Sequence, residues 1–219
     1  MVDIGRYEQI LKEVGAYGAK LIAVSKTVAE DSILELMKAG QMAFGENYVQ
    51  ELEEKEKHIP NAEWHFIGHL QTNKVKKIIS FCHLIHSVDS MKLLKEIDKQ
   101  ARSAGRVQDC LVQIHIAKEE SKFGLKLSDA ETFLQNEELN GLSNVRLRGV
   151  MGMTTLTDDE KLVRSEFKSL RKFFEANRRP GFDILSMGMT GDYRFALEEG
   201  STMVRIGSAI FGERQYHQP

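Results

Sequence analysis

The sequence predicts an α/β fold, a closed parallel (β/α)8 barrel of TIM type with an additional amino-terminal helix. Three observations predict it. Eight short apolar runs have the length and residue types of buried strands, amphipathic stretches separate them, and a further amphipathic stretch precedes the first. The close rival is an open doubly wound sheet. The number of units and the lack of a GxGxxG turn after the first run favour the closed barrel.

The opening MVDIGRYEQILKEV has an amphipathic rhythm and reads as the extra helix. The strand runs then fall at 21–25, 42–45, 64–68, 84–88, 111–116, 145–151, 184–187 and 203–210. Between them, AEDSILELMKAG has an acidic first turn and a closing glycine. SMKLLKEIDKQARSAG opens on a candidate cap, Ser90, and ends at Gly105. Residues 158–177 form a longer helix with Leu162, Val163, Phe167, Leu170 and Phe174 on an apolar stripe that a core explains. No low-complexity linker divides the chain, so a single domain is expected over 1–219.

Composition narrows the function classes. Thirty basic against 32 acidic side chains give a net charge of -2, which offers a nucleic-acid partner no bulk electrostatic support. The basic runs KVKKII at 74–79 and ANRRPG at 176–181 lack aromatic platforms for single strands. Two cysteines, Cys82 and Cys110, make no CxxC pair and sit beside buried-looking runs, so inert thiols in a reducing compartment are expected. The start of the chain lacks a secretory pattern, and no apolar stretch reaches about 18 residues. A cytoplasmic protein without a membrane partner is expected. Among seven histidines, the pairs His65 with His69 and His83 with His86 each lack a third ligand, so no metal site is predicted.

Three places carry candidate chemistry. Lys26 ends LIAVSK on the face shared by Ile22 and Val24, which points inward in a barrel, at the end where active sites open. Partly desolvated there, an amine is prepared to attack an aldehyde, although a lone lysine at a strand end more often snorkels to water. After the seventh run, Ser186, Thr190 and Ser208 supply hydroxyls, while Gly188, Gly191 and Gly207 let backbone N–H groups approach an anion. Loops after strands seven and eight commonly hold a phosphate, and a helix is expected to begin just after Thr190; ordinary turns explain the same glycines. Arg205, within the eighth run, needs a partner, either a ligand ring nitrogen or a carboxylate such as Glu46.

The stretches AVSKT (23–27), FGENYVQE (44–51), WHFIGHLQTNK (64–74), HSVDS (86–90), SKFGL (121–125), RGVMGM (148–153), LSMGMTGDYRFALEEGST (185–202) and VRIGSAIFG (204–212) span nearly the whole chain. Together they resemble the YggS/PROSC family of pyridoxal-phosphate homeostasis proteins, whose barrel is like the amino-terminal domain of alanine racemase, a fold-type III pyridoxal-phosphate protein. The resemblance implies that Lys26 forms an internal aldimine with pyridoxal 5′-phosphate. It places Ser186, Thr190, Gly207 and Ser208 around the phosphate, Arg205 at the pyridine nitrogen and Asn47 near the ring hydroxyl. The chain departs from the family pattern at His69, where many relatives have proline, at Thr190, where serine is usual, and in RGVMGMTT.

The resemblance implies a binding protein for intracellular cofactor homeostasis, buffering or delivering pyridoxal phosphate through a lysine aldimine without substrate turnover. Amino acids and recipient apoenzymes are the expected partners, and a monomer is expected. The alternative is a small pyridoxal-phosphate-dependent amino-acid racemase. Racemases carry a second domain that supplies a tyrosine, for which a chain ending at Pro219 is expected to have no room; tyrosines such as Tyr48 and Tyr193 can approach the mouth, but nothing in the sequence gives either the partner or pKa of an acid/base group. A more distant reading is a phosphosugar aldolase or isomerase.

Overall fold

The computed structural model describes residues 2–119 and 122–212. Ser121, which opens the SKFGL motif, and the outermost residues of the domain expected over 1–219 lie outside the described residues. In chain order the elements are α1 (Ile4–Ala16), β1 (Lys20–Val24), α2 (Glu30–Lys38), β2 (Ala43–Glu46), α3 (Val49–His58), β3 (Glu63–Phe66), α4 (Val75–Ile78), β4 (Leu84–Val88), α5 (Met91–Ser103) and β5 (Gln108–His115). There follow α6 (Leu127–Leu134), β6 (Val145–Met153), α7 (Glu160–Ala176), β7 (Ile184–Ser186), α8 (Tyr193–Glu198), β8 (Met203–Ile206) and α9 (Ser208–Phe211). The eight strands are parallel and close in sequence order, β8 pairing back onto β1.

Strand alternation divides the core into two layers. Ile22, Ala43, Leu84, Leu111, Met151 and Met203 meet inside the barrel. Their neighbours, among them Leu21 and Ala23, face outward and pack with the helices through Ile10, Val14, Leu36, Leu94 and Phe167. The helix starts are capped as their residue types require: Asp3, Ser90 and Asp159 accept from the first-turn amides of α1, α5 and α7. On α7 the buried stripe also includes Phe173, while Leu162 is only half-buried.

Gly149 explains a local irregularity. Its φ of 151° is open to glycine, and a Cβ there would lie 1.8 Å from the Ile184 carbonyl oxygen. The β5–β6 register shifts beside it, between Cys110 and Leu111.

Two of the boundaries that move bear on the site. The apolar run at 203–210 is not one strand: β8 ends at Ile206, Gly207 caps a new turn, and Ser208–Phe211 is helical. Apolar content alone could not separate the strand from the helix. The helix expected just after Thr190 begins at Tyr193, because Asp192 first closes the GMTGD loop by accepting from the Met189 amide at 2.6 Å.

Candidate active site at the barrel mouth

At the carboxyl ends of the strands lies a cavity of about 260 Å³, lined by Lys26, Asn47, Thr190, Arg205, Gly207 and Ser208 together with apolar neighbours. Six of the seven residues singled out in the sequence therefore share one concavity. The seventh, Ser186, is fully buried and is not part of that lining. It lies against Arg205, whereas the resemblance places it with the phosphate.

Lys26 stands two residues past β1, and Val24 lines the same cavity, so the inward face of the strand continues into the mouth. The chain turns sharply behind it: Thr27 has φ 59°, the one non-glycine positive φ among the described residues. A buried ionic cluster holds both flanks of Lys26. Lys55 Nζ, on α3, donates to the Ser25 carbonyl at 2.7 Å, to Glu46 Oε1 at 2.9 Å and to Glu51 Oε1 at 2.6 Å. Ser25 Oγ donates to Glu46 Oε1 at 2.6 Å, and the Thr27 amide donates to Glu51 Oε1 at 2.6 Å. Burial pushes the Glu46 carboxyl up to about 6, outweighing the attraction of Lys55. Lys55 and Glu51 were not signalled by the sequence; their one local cue is the i, i+4 Glu–Lys spacing on α3.

Arg205 does not pair with Glu46. Its Nη1 donates to Ser186 Oγ at 2.6 Å and its Nη2 to the Gly152 carbonyl at 3.0 Å. Burial lowers its pKa to about 10, which still leaves the guanidinium charged near neutral pH. Behind it runs a buried polar line: His86 Nδ1 lies 3.2 Å from Ser186 Oγ, and His86 Nε2 lies 3.0 Å from His65 Nδ1. Desolvation keeps both imidazoles neutral.

The opposite wall is a braced loop. Asp192 accepts from the Met189 amide and, at 2.7 Å, from Thr154 Oγ1, which ties the GMTGD turn to the end of β6. Thr190 Oγ1 accepts from the Gly207 amide at 3.3 Å, joining the two glycine-rich turns. Gly188 has φ 95°, and a Cβ there would lie 2.6 Å from that of Ala196. The Gly207 carbonyl accepts from the Ile210 and Phe211 amides at 2.9 and 3.0 Å, which turns the chain into α9 at the edge of the cavity. This wall can receive an anionic group, the lysine side can receive a carbonyl, and Arg205 can donate to a ring nitrogen.

Other candidates lie elsewhere. Tyr193 is buried, with its hydroxyl donating to Glu13 Oε2 on α1 at 2.7 Å, so it does not serve the mouth. Tyr48 is exposed. His69 stacks on Phe123 with ring centroids 3.9 Å apart, and its Nδ1 lies 3.5 Å from Asp89 Oδ2, so it joins neighbouring loops. The ring of His65 contacts those of His86 and His83, residues that linear spacing does not join to it. Both cysteines are buried, and desolvation raises the Cys82 thiol to about 12.

The chain matches the family described as alanine racemase, N-terminal domain, over residues 6–215. It is 41% identical over 206 residues to the pyridoxal phosphate homeostasis protein of Vibrio alginolyticus, covering 90% of this chain and 87% of that one. To the protein of that name from Aquifex aeolicus (strain VF5) it is 39% identical over 203 residues, covering 90% and 88%. Among solved structures, PipY of Synechococcus elongatus PCC7942 with PLP bound superposes with a TM-score of 0.86 at 32% identity, covering 95% of this chain and 99% of that one. Alanine racemase from Streptomyces lavendulae, at 17% identity and a TM-score of 0.73 over 95% of this chain and 57% of that one, shares the fold.

Proposed function

Because the chain belongs to the alanine racemase N-terminal domain family, among the pyridoxal phosphate homeostasis proteins, we propose that it binds pyridoxal 5′-phosphate at the barrel mouth and serves intracellular cofactor homeostasis, without turning over a substrate. The observation that carries this reading is the convergence of Lys26, Arg205 and the paired turns at Thr190 and Gly207 on one cavity. The residues fit the group. Asn47 Oδ1 is buried without a partner in the same cavity, as expected of an atom awaiting a ligand. When bound, the cofactor supplies an aldehyde that an amine can capture.

In this reading the whole domain, 1–219, is a single cofactor-binding barrel. Lys26 is the capturing amine, and the Lys55 cluster fixes the backbone on either side of it. Thr190, Gly207 and Ser208 receive the phosphate, Asn47 meets the ring's polar edge, and Ser186 acts through Arg205. Arg205 carries donors only, so it holds a ring nitrogen without supplying the negative charge that would favour its protonation. That choice of residue weakens the ring as an electron sink and suits binding and release.

Binding without turnover is supported by the commitment of the Tyr193 hydroxyl to Glu13, which leaves a racemase reading without that acid/base group. We place the protein in the cytoplasm as a monomer that passes cofactor to amino acids or recipient apoenzymes. The buried free thiols support a reducing compartment, and no helix among the described residues is long and apolar enough to cross a membrane. The test is to incubate the cofactor-loaded protein with a panel of amino acids in D2O. Exchange of the α-hydrogen at the background of free cofactor supports the proposal; exchange well above it, abolished by Lys26→Ala, would establish an enzyme instead.

A further inference from the structure

We propose that the opposite, amino-terminal end of the barrel carries a divalent transition-metal site, best suited to Zn2+, formed by Glu63, His65 and His83. Glu63 and His65 alternate on one face of β3, and His83 arrives just before β4, the neighbouring strand. Their ligand atoms all lie within 4.8 Å of one another. Two imidazoles and a carboxylate are a donor set for Zn2+ that leaves a fourth position to water. Linear spacing hides the trio, since it joins His65 to His69 and His83 to His86.

A second observation points to a ligand. His65 is fully buried, and its Nε2 has no hydrogen-bond partner. Its other nitrogen is engaged by His86 at 3.0 Å, so Nε2 is the atom available to ligate. A buried, unpaired ring nitrogen is costly unless something meets it. If His65 Nδ1–H donates to His86 Nε2, and His86 Nδ1–H donates to Ser186 Oγ, then Nε2 offers a lone pair. The same arrangement supplies the outer hydrogen bond that orients metal-binding histidines.

The surroundings permit entry and adjustment. A cavity of about 300 Å³, lined in part by His65 and His83, opens at this end. The His65 and His83 rings lie 5.3 Å apart between centroids. Tetrahedral Zn–N bonds of about 2.0–2.1 Å put ligand atoms about 3.3 Å apart, so the present atoms must draw closer by up to about 1.5 Å. The exposed His83 and the half-buried Glu63 can move, while His65 stays fixed by its packing. Lys20 Nζ now holds Glu63 Oε2 and competes with a cation there.

The site is tested on chelator-treated, full-length protein titrated calorimetrically with Zn2+ alone, in the absence of cofactor. The expected result is one Zn2+ per chain. His83→Ala and Glu63→Gln should each weaken binding by at least the roughly 10–100-fold that loss of an outer-shell partner costs. Lys20→Met should tighten it. Co2+ as a spectroscopic probe should give the visible bands of a low-symmetry site in the unsubstituted protein and lose them in His83→Ala, with circular dichroism confirming that both variants fold. No Zn2+ uptake, uptake indifferent to both ligand substitutions, or weaker binding in Lys20→Met would overturn the proposal.

Discussion

Replacing Lys55 with methionine removes the cation that braces Lys26 and leaves its carboxylates in place. Lys55 is 6% exposed at its side chain and Glu46 is 0% exposed, so neither charge can turn to water. Without Lys55, Glu46 Oε1 keeps one donor, Ser25 Oγ, and Oε2 has none. Breaking a buried pair from one side costs about 3–5 kcal/mol. Protonation limits the loss. From a folded value of about 6, neutralising Glu46 at pH 8 costs two pH units, roughly 3 kcal/mol, which bounds what losing Lys55 can cost electrostatically. Lys55→Met should therefore lose about 3 kcal/mol at pH 8, or roughly 6–12 °C in Tm for a domain of this size.

The pH dependence has a definite sign. A carboxyl with a raised folded value contributes stability that is complete below its ordinary value of 4.5 and lost as pH rises through about 6. In the variant that window extends upward, so the deficit should shrink between pH 8 and pH 6. Urea unfolding at both pH values measures it, and adding Glu46→Gln should recover much of the loss. A deficit below about 1 kcal/mol at pH 8, or no recovery in the double variant, would refute the view that this cluster is a coupled buried ionic group.

Three further outcomes follow from the geometry. Hydrogen bonds from Arg194 and Tyr193 hold Glu13 down to about 2, so the stability they give is complete above its ordinary value of 4.5 and lost as pH falls toward 2. Acid titration of Glu13→Gln should lack a step of about 1 kcal/mol, after allowance for solvent screening, that the unsubstituted protein shows. Arg205→Leu should weaken pyridoxal phosphate binding by about 10–100-fold, the worth of a hydrogen bond to a charged group, as read by equilibrium dialysis. Gly188→Ala must strain a φ of 95° and crowd Ala196, so a stability loss of about 1–3 kcal/mol is expected, with weakened phosphate binding in titrations.

The sequence exposed the repetition of the barrel because strand and helix periods alternate eight times. It exposed the mouth because Lys26, Arg205 and the glycine-rich turns each lie at or near a strand end. What it concealed depends on closure. Glu46 and Lys55 are nine residues apart, but their link to Ser25 requires β1 and β2 to be neighbours. Glu46 and Arg205 both suit a barrel interior, but Glu46 pairs with Lys55, whereas Arg205 donates to Ser186 Oγ and the Gly152 carbonyl. Tyr193 resembled a mouth residue by its place after Thr190, yet the turn of α8 carries its hydroxyl to α1. Gly207 divides a run whose halves, MVRI and SAIF, are both largely apolar and have different structures.

The most direct measurement of the central claim is borohydride reduction of the protein incubated with pyridoxal phosphate, followed by peptide mass mapping. The account predicts one pyridoxyl group per chain, carried on Lys26, with Lys26→Ala left unmodified. No adduct, or an adduct confined to other lysines and unchanged by Lys26→Ala, would contradict it.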